Sequence, residues 1–520
     1  MKRSIALLLT GMLLLTACQP AGPKVGNESE SEGQSGQSVV EESAGNGSAE
    51  KTAQMLPKIN IENSTVQRYT EDGETLLVEI IQDRMTLEGD GYEKAAETVG
   101  KLFYRTEEEL SRQADDMMEM AQEQYADEQA WADEYFWFSA YSATTYYEIS
   151  RLDTKVLSLK IQSYDYEGGA HGYGAEWGAT IDLENGAELE LSRLAADAPR
   201  FMDKITESVL ESLSKRTDEL YDDYKSYVEE HIEEADWYLD AAGIWIVFTP
   251  YEIGPYASGN ISVLVPYKEV ADYMKSEYLA PQGAFITRLS TDSEVTLELA
   301  DGAYTVSLRL EYTVQYDDYE CTLIVNGGES LVEPFVRVLN AYLIGRPDGR
   351  NFLIFDIDWA SDDYETFVYE LVGGRAVQTA DIWAALDGKN MNTDSMNLRF
   401  ILNVLGTYST EMLYALTEDG GLEPLGEIYE FHPDLSWHGL VTVRELPVTV
   451  DGQQTTLPAG TSIHITATDN AGTAWFTANE DSAEGAVSGE IHYERREDDY
   501  QLYIDGVSEY EYFDMLPYAG

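Results

Sequence analysis

The chain has 520 residues and a formal net charge of −63, with 96 acidic side chains against 33 basic ones. This charge repels phosphate backbones and excludes nucleic acid as a partner, whereas cationic proteins and peptides are attracted to it, unless the acidity serves only solubility. A hydrophobic content of 43% and abundant tyrosine are typical of folded domains and argue against wholesale disorder.

The first 18 residues have the pattern of an export signal. Two basic residues precede an apolar run at 5–15, which is too short to span a bilayer permanently. The run ends in Leu-Thr-Ala-Cys, which resembles the lipobox of bacterial lipoproteins. The resemblance implies that Cys18 is acylated and anchors a Gram-positive-type lipoprotein in the bilayer, on the extracellular face of the cell membrane. The alternative is an ordinary secretory signal with an incidental cysteine.

The rest of the chain divides by composition. Residues 19–55 are rich in Gly, Ser and Glu and poor in apolar residues, so we expect a disordered tether. The remaining length is too great for one core, and we expect domains at 56–279, 280–438 and 439–520. Once Cys18 is lipidated, only Cys321 remains, and no disulfide can form within the chain.

Residues 56–279 alternate between strand and helix patterns. Strand-like runs come first, and apolar residues at helical spacing follow from Gly91 to about Ala132. Strands return between 144 and 191, a helix is predicted at 199–216, and two buried strands flank residues 249–259. This order predicts an α+β module with an antiparallel sheet and helices.

Two loops of this module hold the candidate binding residues. The connection from Thr249 to Gly259 contains two prolines, and we expect it to be stiff and extended. It presents Tyr251, Glu252 and Tyr256. The tyrosines are either packing residues or interface anchors, and Glu252 either pairs with an arginine of a ligand or caps a local backbone amide.

The second loop is rich in glycine and contains His171 and Tyr173. The glycines allow positive φ and a close approach to another segment. His171 is either a hydrogen-bonded turn residue, part of a partner surface or, least favoured, a catalytic group.

Three segments together resemble a known extracellular module. They are Gly-Gly-Ala-His-Gly at 168–172, the strand and turn at 180–189, and Phe-Thr-Pro-Tyr-Glu-Ile-Gly-Pro-Tyr-Ala-Ser-Gly at 248–259. Their order and spacing are similar to those in the anti-sigma-V (RsiV-type) lysozyme sensors and in the non-catalytic part of PdaC-type peptidoglycan deacetylases. The resemblance implies a capacity to bind lysozyme, a strongly basic protein.

Other properties of these families are not expected here. The sensors' cytoplasmic part and membrane-spanning helix have no counterpart in the sequence, so we do not expect signalling by proteolysis. The deacetylases add a catalytic domain with a metal-binding Asp and a His-x-x-x-His pair, and no two histidines of this chain have that spacing. We therefore expect no enzyme, no metal and no cofactor.

The second half is predicted to be mainly β. Short alternating strands and turn signals recur from Gly283 to about His438, with one predicted helix at Leu331–Leu343. The acidic residues at 356–365 are a calcium site in one interpretation, but their alternation with apolar residues favours a half-buried strand with an acidic outer face. Residues 439–520 weakly resemble bacterial SH3-like barrels, which often bind wall peptides.

The sequence thus predicts a non-catalytic cell-surface lipoprotein that binds a cationic, wall-associated protein such as lysozyme. Two alternatives remain open. In the first alternative, the chain is an envelope scaffold or peptidoglycan-binding protein that acts through its C-terminal β domain. In the second, it is a hydrolase with an unrecognised acidic site.

Overall fold

The computed structural model describes residues 55–131, 137–291, 293–299, 301–314, 318–334, 337–359, 363–431, 439–478, 486–496 and 499–518. Cys18 and residues 19–54 of the predicted tether lie outside these ranges.

Six strands and two helices form the first part of the fold. The strands are β1 (Lys58–Tyr69), β2 (Leu76–Glu88), β3 (Tyr141–Asp153), β4 (Val156–Tyr166), β5 (Tyr173–Asp182) and β6 (Ala187–Glu188), and the helices are α1 (Glu93–Phe103) and α2 (Glu107–Trp131). Strand β2 pairs with β3 in parallel, which requires a crossover connection. The two helices supply this connection.

The start of α2 is set by a capping box. The backbone N–H of Thr106 donates to Glu109 Oε2 at 2.8 Å, and the N–H of Glu109 donates to Thr106 Oγ1 at 3.3 Å. These bonds satisfy amides that the helix leaves without an intrahelical partner. Both helices lie within the helical segment that the apolar spacing predicts.

The next part contains four helices and a small antiparallel sheet. The helices are α3 (Ala198–Leu213), α4 (Tyr224–His231), α5 (Tyr267–Val270) and α6 (Ser276–Leu279), and the strands are β7 (Asp236–Leu239), β8 (Gly243–Phe248) and β9 (Ile261–Pro266). Buried residues of α3, including Phe201 and Ile205, share a core with Ile246 and Val263 of the small sheet. This packing positions the connection between β8 and β9.

Strands dominate the described residues of the second half, which also contain a short 3₁₀ helix at Glu509–Glu511. Its strands are β10 (Phe285–Arg288), β11 (Val295–Leu299), β12 (Gly302–Thr313), β13 (Asp318–Val325), β14 (Gly328–Pro334), β15 (Arg337–Gly345), β16 (Asn351–Asp358), β17 (Tyr364–Val372), β18 (Arg375–Ile382), β19 (Ala385–Leu386), β20 (Ser395–Asn403), β21 (Thr407–Leu416), β22 (Leu422–Pro424), β23 (Tyr429–Phe431), β24 (Leu440–Val441), β25 (Leu446–Val450), β26 (Gln453–Leu457), β27 (Ser462–Thr468), β28 (Thr473–Ala478), β29 (Val487–His492), β30 (Glu494–Arg495), β31 (Leu502–Ile504) and β32 (Val507–Ser508). The predicted fold class is confirmed: an α+β module precedes a region dominated by antiparallel strands.

One eleven-stranded sheet among the described residues contains strands of both halves. Strand β10 pairs with β3 on one side and with β15 on the other, so the sheet is continuous across residue 280. A second eleven-stranded sheet runs from β19 through β20, β21, β23, β27, β28, β29 and β25 to β26. It joins strands of the predicted domains 280–438 and 439–520.

The main core lies between these two sheets. It includes Ile149 and Ile354 from the first sheet and Leu398 and Phe476 from the second. A further core packs the four-stranded sheet β11–β14 against the other face of β15–β17. Strands β15 and β16 are therefore covered on both faces.

The predicted helix at Leu331–Leu343 is wrong, because the described residues of this segment belong to β14 and β15. Side chains of β15 alternate between the two cores: Tyr342 and Ile344 face the main core, and Ala341 and Leu343 face the other one. A strand buried on both faces has a continuous apolar run, which periodicity alone does not distinguish from a buried helix.

The acidic outer face predicted for β16 is also wrong at Asp356, which is fully buried. Its carboxylate accepts the N–H of Asn340 at 2.6 Å and the N–H of Leu386 at 2.9 Å. Burial raises the pKa of this carboxyl to about 6. Asp362, which belongs to the calcium interpretation, lies outside the described residues.

Candidate functional site

The two loops singled out in the sequence meet at one surface. The imidazole of His171 stacks on the ring of Tyr256, with centroids 4.1 Å apart and planes inclined by 22°. The hydroxyl of Tyr256 donates to the carbonyl oxygen of Gly172 at 2.7 Å, and His171 Nδ1 lies 2.9 Å from the same oxygen. The ring of Tyr251 also stacks on the ring of Tyr256, with centroids 6.1 Å apart. We call His171, Tyr256 and Tyr251 the ring stack.

Glycine makes the first loop possible. Gly168 and Gly169 have φ of +84° and +89°, a region that other residues rarely adopt. A Cβ atom at Gly172 would come within 2.5 Å of the Asp165 carbonyl oxygen and the Tyr164 ring. This close approach brings the carbonyl of Gly172 to the Tyr256 hydroxyl.

The second loop is compact, so the prediction of an extended connection is wrong. The N–H of Tyr251 donates to the carbonyl oxygen of Gly254 at 2.9 Å, which closes a turn, and a 3₁₀ turn follows at Tyr256–Ser258. The prolines restrict φ at their own positions, but turns with internal hydrogen bonds satisfy that restriction as well as an extended chain does.

Tyr251 occupies an unfavourable backbone conformation and is exposed. Its φ is 76°, where an L-residue other than glycine is disfavoured by roughly 1–2 kcal/mol. Its side chain is 57% exposed. The surrounding loop holds this residue in place, and strain of this kind clusters at functional sites.

Glu252 caps its own loop. Its Oε2 accepts the N–H of Thr249 at 2.7 Å, and its Oε1 accepts the hydroxyl of Tyr227 at 3.0 Å. Of the two roles considered for Glu252, the local cap is the one that the structure contains. Desolvation by the surrounding protein, and then the like charge of Glu252, raise the pKa of Asp236 to about 6, although Asp236 keeps contact with solvent.

The loop is fixed to the protein beneath it. The N–H of Tyr221 donates to the carbonyl oxygen of Ile253 at 2.9 Å, and Ser258 Oγ donates to the carbonyl oxygen of Glu219 at 2.7 Å. A Cβ atom at Gly254 would lie 2.6 Å from that Glu219 oxygen. The buried side chain of Ile253 completes the anchor. The exposed ring of Tyr251 and the half-buried ring of Tyr256 are therefore held on a rigid support.

Tyr173 is adjacent to the ring stack but not one of its members. It is the first residue of β5, is half-buried, and lies opposite Asp165 of β4. The structure adds two aromatic residues that sequence reasoning missed: Tyr227, which binds Glu252, and His231, whose ring lies 4.5 Å from that of Tyr227. No local sequence signal links them to the loop, because the contact depends on how α4 packs.

The described ranges contain no group of three His, Cys, Asp or Glu side chains that could hold a metal ion. Within the same ranges, no helix has both the length and the apolar character needed to cross a membrane.

Two family models match the chain. The model of the deacetylase PdaC matches residues 60–173, and the model of a protein family of unknown function (DUF3298) matches residues 194–268. The first match includes His171, and the second includes Tyr251 and Tyr256. No curated protein matches the chain.

Several solved structures are similar to parts of the chain. A DUF3298 family member from Bacteroides fragilis has 16% identity and a TM-score of 0.34, over 43% of this chain and 96% of its own. A DUF3298 family protein from Pseudomonas aeruginosa has 15% identity and a TM-score of 0.30, over 44% of this chain and 99% of its own. The AtxE2 isopeptidase has 12% identity and a TM-score of 0.20, over 79% of this chain and 58% of its own.

The family models confirm the resemblance predicted from the sequence: the first part of the chain is similar to the PdaC family over residues 60–173 and to the DUF3298 family over residues 194–268.

Proposed function

We propose that the chain is a lipid-anchored cell-surface protein that binds a cationic, wall-associated protein through the ring stack. Lysozyme is the candidate partner, because the module resembles that of the RsiV-type sensors. The observation that carries the proposal is Tyr251, an exposed aromatic residue held at positive φ by a loop that packs firmly on the protein.

Rigidity supports a role in binding. A side chain that is ordered before binding loses little conformational entropy when a partner arrives. Tyrosine is among the residues that contribute most to interface energies. The ring stack therefore has the physical properties of an interface anchor.

Charge supports the choice of a cationic partner. The net charge of −63 favours encounter with a basic protein. Glu252 follows Tyr251 in the loop, and its charge acts on Asp236. A positive group that approaches either carboxylate relieves their mutual repulsion.

We further propose that the module acts by binding, without catalysis. The PdaC family model carries the name of a deacetylase, but no two histidines of this chain have the spacing of the deacetylase metal pair. Incubation with acetylated peptidoglycan and measurement of released acetate test this part. Release of acetate above that of a heat-denatured sample would overturn it.

Calorimetric titration of the mature ectodomain with lysozyme, at low and at high salt, tests the main proposal. We expect saturable binding at both salt concentrations, weaker at high salt because charge attraction is screened. Absence of heat at both concentrations, from protein shown to be folded by circular dichroism, would remove lysozyme as the partner.

A further inference from the structure

A loop of the second half holds the edge of strand β1. Residues 387–394 connect β19 to β20, and we call them the clamp loop. Asn390 Oδ1 accepts the N–H of Ile61 at 2.7 Å, while Asn390 Nδ2 donates to the carbonyl oxygen of Ile61 at 3.0 Å. The side-chain amide thus makes the pair of hydrogen bonds that a neighbouring strand would make.

An ion pair strengthens this attachment. Lys389 Nζ lies 2.9 Å from Asp83 Oδ1, and the Asp83 side chain is fully buried. Asp83 Oδ2 also accepts the backbone N–H of Tyr147 at 2.9 Å. A buried carboxylate is costly without a positive partner, so the ion pair with Lys389 offsets the cost of burying Asp83.

Two further carboxylates, those of Asp387 and Glu411, lie near Lys389. The amide Nδ2 of Asn397 donates both to Asp387 Oδ2 at 3.2 Å and to Glu411 Oε2 at 2.6 Å. The two acidic groups therefore converge on one nitrogen atom. Burial, followed by the like charge of Glu411, raises the pKa of Asp387 to about 7, while Lys389 and Asn397 act in the opposite direction.

The charged and titratable groups around Asp387 come from several strands. Besides Glu411 of β21, Asp387 interacts electrostatically with Asp83 of β2 and with Tyr342 of β15. Arg399 and Glu430 lie opposite Glu411 in the strand register, and the guanidinium of Arg399 sits over the ring of Tyr364. Lys389 is thus the positive side chain that Asp83 and Asp387 share.

We propose that the clamp loop is a pH-sensitive latch, closed on β1 while Asp387 is protonated and loosened when Asp387 ionises. The ionised carboxylate repels Glu411 and competes with Asp83 for Lys389. When Lys389 moves toward Asp387, its ion pair with Asp83, which holds the clamp loop, weakens. The hydrogen bonds between Asn390 and Ile61 then open more often.

The direction of the effect follows from linkage. The closed, folded state binds the Asp387 proton more tightly than the unfolded chain does, since the pKa rises from 3.8 to about 7. The contribution of this proton to stability is complete below the lower value and is lost as the pH rises towards 7. The latch is therefore closed in acid and loosens near neutrality.

Hydrogen exchange of the Ile61 amide in the full chain tests the proposal, because this amide is bonded to Asn390. After correction for the intrinsic exchange rate, we expect protection to fall about tenfold between pH 5.5 and pH 8, the effect of one pKa unit of coupling. The amide of Val156, which is bonded to Asp153 Oδ1, is the internal control and keeps its protection.

Two variants separate the latch from a merely structural contact. In Asp387→Asn the protection of Ile61 becomes independent of pH, and in Glu411→Gln the loss of protection moves to a lower pH because the like charge is gone. Constant protection of Ile61 in the unaltered protein, or the same pH dependence in Asp387→Asn, would overturn the proposal. Circular dichroism across the pH range establishes that the loss is local.

Discussion

The ring of His171 lies flat against the ring of Tyr256, with centroids 4.1 Å apart, although the two residues belong to different family matches. His171 lies in the segment that the PdaC model matches, and Tyr256 lies in the segment that the DUF3298 model matches. The Tyr256 hydroxyl adds a hydrogen bond to the backbone of Gly172. The two matched segments therefore contribute to one surface, and a change on either side of the contact alters it.

Removal of the Tyr256 hydroxyl isolates the hydrogen bond from the stacking. We expect Tyr256→Phe to lower the free energy of unfolding by about 0.5–1.5 kcal/mol, because the Gly172 carbonyl loses a donor while the ring remains. Urea denaturation measures this change. The control is Tyr500→Phe, which alters a fully exposed tyrosine; equal effects of the two variants would show that the bond contributes nothing.

Tyr251 offers a test of stored strain. Glycine adopts positive φ without steric cost, so Tyr251→Gly relieves the backbone while it removes an exposed ring. We expect the free energy of unfolding to stay constant or rise by up to about 1 kcal/mol, while affinity for the cationic partner falls. A marked loss of stability in denaturant would contradict the presence of backbone strain at Tyr251 and show that its ring contributes to packing.

Arg151 is expected to be essential for folding of the module. It is fully buried, and its guanidinium donates to Asp153, to the Tyr267 hydroxyl and to the carbonyl oxygens of Tyr278 and Ala280. Arg151→Met leaves Asp153 buried without its partner, which costs about 3–5 kcal/mol. Thermal and urea unfolding measure the loss. Arg112→Met, at an exposed ion pair on α2, is the matched control and changes stability by less than about 1 kcal/mol.

Asp356 is expected to make stability depend on pH. Burial raises its pKa from 3.8 to about 6, so the folded state holds the proton more tightly than the unfolded chain. Its contribution is complete below pH 3.8 and is lost as the pH rises to about 6. Relative to the unaltered protein, Asp356→Asn retains on the order of 2 kcal/mol more stability between pH 4 and pH 7. If the free energy of unfolding changed with pH in the same way in both proteins, Asp356 would not be the source of the pH dependence.

Local sequence patterns are sufficient to predict the helices α1 to α3 and to identify the two loops. Helical spacing of apolar residues and the clusters of glycine and proline are properties of short segments. Local patterns are insufficient to predict that β15 is a strand and that Asp356 is buried. Both properties depend on a second layer of protein that covers the other face of the strand.

Sequence motifs predict which residues form the candidate site, but they do not predict how those residues are arranged. The motifs predict Tyr251, Tyr256 and His171, and the structure brings the rings of these residues together. The bond between Tyr227 and Glu252 joins residues from different elements, and only the packing of α4 determines it. Tyr173 shares the first loop with His171, but it begins strand β5 and stays outside the ring stack.

Calorimetric titration of lysozyme into the variant Tyr251→Ala with Tyr256→Ala, at high salt, is the most direct test of the binding proposal. If the rings anchor the partner, affinity falls at least tenfold relative to the unaltered ectodomain, since removal of an anchor residue costs more than about 1 kcal/mol, while Tyr500→Ala binds normally. Equal affinity of the double variant and the unaltered protein would contradict the account and leave only unspecific attraction between opposite charges.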